Sequence, residues 1–226
     1  MLKGKFFDYI HQRLSKVTLP DSEMLEAAFD KAIETHSKLE PFIQVVDFTG
    51  DGSTYEWVLA SDFLETSVIK SVEYPQGRQI PTLLLPEEFM VYKDLSGGSI
   101  VKKFRLKKIV PSSGEIVRVT YTTMYTINNT SSNLPTERDQ AVVDLGASIL
   151  ASMLSSEYAR TQSSTLEADV VNNLAKIDHY VNLSRHYLYR YKEAMGMKPD
   201  DIVPVAQGIQ DFDVSVFQDK YSYLTH

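Results

Sequence analysis

The side chains that could do chemistry are few and scattered. His179 and His186 stand seven residues apart in a helical stretch, close to one face. No carboxylate pattern completes an H-E-x-x-H site or a facial triad around them, so a metal centre is not expected. Ser96-Gly97-Gly98-Ser99 lacks the spacing and the Lys-Ser/Thr of a phosphate loop and reads as a hairpin tip. There is no G-x-S-x-G nucleophile elbow. The acidic pairs Glu87-Glu88 and Asp200-Asp201 are adjacent in sequence, whereas glycoside hydrolysis needs two carboxyls brought together by the fold. Zero cysteines exclude thiolate chemistry and a disulfide framework. The expectation is a protein that is not an enzyme and carries no cofactor and no metal.

One basic run stands out: Lys102, Lys103, Arg105, Lys107 and Lys108. On a strand, Lys103, Arg105 and Lys107 share one face, and Lys102, Phe104, Leu106 and Lys108 the other. The run suits either a phosphate or acidic partner surface or a solvated face that protects a sheet edge. The second reading is favoured, with Lys103, Arg105 and Lys107 kept as a candidate subunit interface. A net charge of −7 argues against general nucleic-acid affinity. Thirteen Tyr and ten Phe against one Trp supply aromatics of the kind favoured at protein interfaces.

The elements that must position these residues follow from periodicity. Residues 3–16 and 22–38 read as helices, the second capped by Asp21 or Ser22 and stopped before Pro41. From Phe42 the period becomes that of strands. Phe42 to Phe48, the turn Gly50-Asp51-Gly52 and Tyr55 to Leu59 read as a hairpin. Thr66 to Tyr74 is a further strand. Phe89 to Tyr92 and Ile100 to Leu106 form a second hairpin, and Ile116 to Thr123 alternates cleanly. About six or seven short strands over 41–128 predict an antiparallel sandwich or barrel. The polar run Asn128 to Asn133 marks a boundary. A helix over 136–160 is rich in small residues. Ser164-Thr165-Leu166-Glu167 is a capping box for a long helix ending at Gly196. Its predicted seam is Leu166, Val170, Leu174, Ile177, Val181, Ser184, Leu188 and Tyr191. Tyr187 and Tyr191 are expected in the core, Tyr180 and Tyr189 at a subunit contact.

The last segment is too apolar to stand alone. Ile202, Val203, Val205, Ile209, Phe212, Val214, Val216, Phe217, Tyr221 and Tyr223 are its candidate partner-binding residues, with Phe212 to Val216 alternating as an added strand would. The predicted organisation is α+β: a helical bundle from 1–40 and 134–198, a β-rich insertion at 41–128 and an extended C-terminal tail at 199–226. No run long enough for a transmembrane helix is present, and the charged N-terminus does not read as a signal peptide.

Several stretches carry a resemblance. Tyr55-Glu56-Trp57 with Phe63 to Pro75 (FLETSVIKSVEYP), Gly114 to Tyr121 (GEIVRVTY) and Tyr158 to Gly196 resemble passages of tailed-phage head–tail connector (adaptor) proteins. The order helices, β-insertion, two helices, extended tail is similar too. The resemblance implies a virion neck protein made in the host cytoplasm. It implies a homo-oligomeric, dodecameric ring under the portal protein, a tail reaching a neighbouring tail or stopper protein, and double-stranded DNA passing without sequence-specific contact or membrane. A stopper or tail-terminator protein is the nearest alternative. A virion-associated hydrolase, or a binding module around Trp57, stands further off.

Overall fold

The computed structural model describes residues 1–14, 21–96, 99–160 and 167–203. The chain divides into two compact units, Met1–His36 with Thr126–His226, and Ser37–Tyr125.

The first unit contains α1 (Lys3–Arg13), most of α2 (Ser22–Leu39), α3 (Asp139–Arg160) and α4 (Glu167–Ala194). Its centre is α3. Every residue from Ala141 to Ala151 is buried. A helix apolar all round needs cover on every side, and its small residues let that cover come close. At Gly146 an added Cβ would lie 2.6 Å from the Phe6 ring and 2.9 Å from Ile10 Cδ1 of α1. Phe6 then meets Phe29 of α2 edge-on, with ring centroids 4.8 Å apart.

The long helix α4 lies along α3, and the predicted seam from Ile177 to Tyr191 is half-buried or buried, widened to take in Tyr180. Tyr180, Tyr187 and Tyr191 are buried while Leu174 is exposed. Ser148 of α3 donates to the Ser184 carbonyl at 2.9 Å. The small-residue surface of α3 leaves room for these rings, and two of them set their hydroxyls on partners. Tyr187 donates to the Arg13 carbonyl at 2.9 Å, and Tyr191 Oη pairs with His36 Nδ1 at 3.1 Å. α4 ends as expected at Gly196, with φ at 67°. Its N–H donates to the Glu193 carbonyl, and the Met197 N–H to the Lys192 carbonyl, so the last orphan carbonyls are satisfied. The predicted capping box, 164–167, falls mostly outside the described residues.

The second unit holds β1 (Phe42–Thr49), β2 (Glu56–Val58), β3 (Ile69–Glu73), β4 (Phe89–Ser96), β5 (Ser99–Leu106) and β6 (Ile116–Thr123). They form two three-stranded antiparallel sheets, ordered β1-β6-β3 and β2-β5-β4. The barrel alternative is corrected: the strands do not close. Val72, Val117, Val119 and Tyr121 of one sheet share a core with Phe104 and Leu106 of the other, and Phe48 stacks on both Trp57 and Phe104.

The β4–β5 hairpin is as predicted, whereas the first hairpin is not. β1 pairs with β6 and β2 with β5. The connection 50–55 exceeds the roughly two to five residues usual in a hairpin. It is held in a bend by Asp51, which accepts from the Ser53 N–H at 2.8 Å and the Thr54 N–H at 2.6 Å. Gly50 is wedged under Pro111, where a Cβ would approach within 2.6 Å. The polar run at 128–133 is an ordered turn of the first unit. Asn128 Oδ1 accepts from the Thr130 and Ser131 N–H groups, and the Asn128 carbonyl from the Lys3 N–H.

Candidate functional site

The basic run is placed by β5, the central strand of its sheet. A central strand has no edge to protect, so that expectation is corrected. Phe104 and Leu106 point into the core, and Lys103 and Arg105 point outward. Lys103 Nζ lies 2.8 Å from Glu56 and 2.6 Å from Asp94, on the two flanking strands. The Tyr92 hydroxyl donates to the same Glu56. Asp94 and Glu56 raise the Lys103 ammonium above the usual lysine range. The hydrogen bonds from Lys103 and then Tyr92 hold Glu56 below the usual carboxylate range. Arg105 lies over the Tyr55 ring at 4.9 Å. Lys102 donates to the Phe63 carbonyl at 2.8 Å, and Lys93 pairs with Glu65 at 3.0 Å. Cross-strand pairing thus matches the charge of Lys103 within its own sheet. Lys107 and Lys108 remain exposed beyond the strand.

The tyrosines separate. Tyr189 is exposed. Tyr180 is interior, 1% exposed, with its ring stacked on Tyr158 at 5.5 Å. It belongs to the packing of α3 on α4. Burial, then the Tyr158 hydroxyl, pushes its phenol up to about 12.

Of the C-terminal candidates, Ile202 is exposed and Val203 is buried. The chain after α4 is held back by Lys192, which donates to the Pro199 carbonyl at 2.6 Å, and by Asp201, which accepts from the Lys198 N–H at 2.7 Å. Val205, Ile209, Phe212, Val214, Val216, Phe217, Tyr221 and Tyr223 lie outside the described residues. His179 and His186 are exposed on α4. Among the described residues no group of three His, Cys, Asp or Glu converges to hold a metal, and no helix is long and apolar enough to cross a membrane.

What sequence reasoning missed is apolar surface. Among the described residues, the large exposed apolar side chains all belong to the β-unit except Leu174, Tyr189 and Ile202. Ile80, Leu83 and Leu85 stand on the loop before β4, with Ile80 81% exposed. Leu95 and Ile100 face each other across the hairpin at 73% and 70%. Ile43 and Val45 line the solvent face of β1 at 47% and 48%. The signal was in β1 itself. Phe42-Ile43-Gln44-Val45-Val46-Asp47-Phe48 is apolar on both faces, the pattern of a strand covered on both sides, yet among the described residues only one face is covered.

No family model and no curated protein matches the chain. Solved structures align with it, two of them from gene transfer agent particles. One is a chain in the neck of an empty gene transfer agent particle, computed with C6 symmetry: TM-score 0.29, 14% identity, covering 73% of this chain and 80% of that one. The other is a chain in the virion of a native gene transfer agent particle: TM-score 0.28, 15% identity, covering 78% and 87%. These scores fall short of a shared fold, so the functional reading rests on this chain's own sequence and surface.

Proposed function

We propose that this chain is a structural protein of a phage-like virion neck, a head–tail connector whose copies form a ring between portal and tail around the DNA passage. The observation that carries the reading is the concentration of exposed apolar side chains on the β-unit. A monomer in water rarely shows so much, and burial against other protein removes the cost. The stretches that resemble adaptor proteins supply β2, β3, β6 and α4, and helices from both sides of the β-insertion join in one unit. A ring needs two different faces per protomer, and a surface of this extent offers room for both. The acidic balance of −7 suits a conduit that DNA slides through, since few phosphates would be neutralised. Residues 204–226 are the segment assigned to a neighbouring portal, tail or stopper protein.

The test is co-purification with a portal protein, comparing the full chain with one ending at Val203. The full chain is expected to be retained as an oligomer and the shortened chain to be retained at least ten-fold less. A full chain that stays monomeric beside the portal, with particle assembly unaffected by the deletion, overturns the proposal.

A further inference from the structure

Among the described residues the two sheets each leave one long edge bare, and the parity of both edges can be read. The Gly50 N–H donates to the Glu115 carbonyl in continuation of the β1–β6 register. Antiparallel pairing alternates, so the even-numbered residues of β1 bond to β6. Ile43, Val45, Asp47 and Thr49 therefore aim their backbone groups outward. The Lys107 N–H donates to the Glu88 carbonyl in the β4–β5 register. By the same rule Phe89, Val91, Lys93 and Leu95 aim theirs outward from β4. Among the described residues, no backbone group meets either outward row. β1 has no proline, no lysine and no break in its register with β6, so Asp47 is its only edge-protecting device.

We propose that the β1 edge of one protomer pairs antiparallel with the β4 edge of the next, Val45 opposite Leu95 and Asp47 opposite Lys93. This inference rests on the ring reading and specifies its contact. The occupant is a second copy because the two rows complement each other at this register. Val45 meets Leu95, both exposed. Asp47, held by Arg118 at 2.8 Å within its own sheet, meets Lys93, held by Glu65 at 3.0 Å. The result is a row of alternating sign, Arg118, Asp47, Lys93, Glu65, running across the contact. Sliding the strands by two residues either way sets Asp47 against Val91 or Leu95 and loses the charge match. The two edges belong to different strands of one unit, so the contact is heterologous and repeats from copy to copy.

The absence of native cysteine gives a direct test. A full-length chain carrying Val45→Cys and Leu95→Cys is oxidised mildly in its assembled state. Hydrogen-bonded antiparallel pairs sit at a Cα separation of about 5.5 Å, within disulfide range. A ladder of covalent multimers that collapses with reductant is expected, and the Val45→Cys, Val91→Cys chain should cross-link at least ten-fold less. Separately, Val45→Pro keeps the bonds to β6, because that N–H points outward, and should abolish assembly while leaving the melting transition in place. Assembled chains that resist the first cross-link, form the second equally, or assemble normally with Val45→Pro overturn the strand pairing and leave the ring reading standing. A native chain that never assembles, alone or beside the portal, overturns both.

Discussion

At the residue scale the helical unit is fixed by a few side chains with no slack around them. Asp144 on α3 is buried and takes Arg13 of α1 and, at 3.3 Å, Arg190 of α4. One carboxylate thus ties three helices. Removing it leaves the half-buried Arg13 with only Gln140 and the Tyr9 carbonyl as partners, so Asp144→Ala should lower unfolding free energy by about 1–3 kcal/mol in a denaturant titration. Gly146 is as constrained in shape as Asp144 is in charge. Gly146→Val would push into Phe6 and Ile10 and should cost about 1–3 kcal/mol by the same titration. Tyr180 gives a pH signature. Its phenol stays neutral in the fold up to about 12, because burial disfavours the phenolate, whereas the unfolded chain ionises it near 10. The folded state holds the proton longer. This stabilisation is therefore whole below pH 10 and drains away between pH 10 and 12. Thermal unfolding followed across that window should show a fall that Tyr180→Phe reduces.

At the element scale, legibility followed how local each signal was. β6 was clear because Val117, Val119 and Tyr121 alternate with Arg118 and Thr120, and the cap at Gly196 because glycine after a periodic run has one common use. The partner of β1 was not legible. Pairing with β6 closes a loop of some seventy residues, and nothing local marks it, whereas the nearby Gly50-Asp51-Gly52 turn suggested β2. The burial of Tyr180 on α4 was missed for a related reason. A hydropathy count ranks Leu174 above Tyr180, but the small residues of α3 decide which ring fits. The basic run of β5 read as available charge because Glu56 and Asp94, its neutralising neighbours, come from other strands. A consequence belongs at this scale. Lys103→Gln should weaken partner binding less than two-fold in a co-purification assay, because its charge is already matched inside the sheet. A larger loss would return the basic face to the interface.

At the scale of the whole molecule the two units divide the work. The helical unit packs around α3 and hides its apolar residues. The β-unit shows its own on the solvent face of β1, on the loop before β4 and at the hairpin end. Assembly by that unit, with the C-terminal segment engaging a neighbour, is the central claim. Native mass measurement of the full chain, alone and mixed with a portal protein, tests it most directly. A single closed oligomer of defined mass, formed alone or on the portal, is the predicted result, and a monomer that persists at every concentration with the portal present would contradict it.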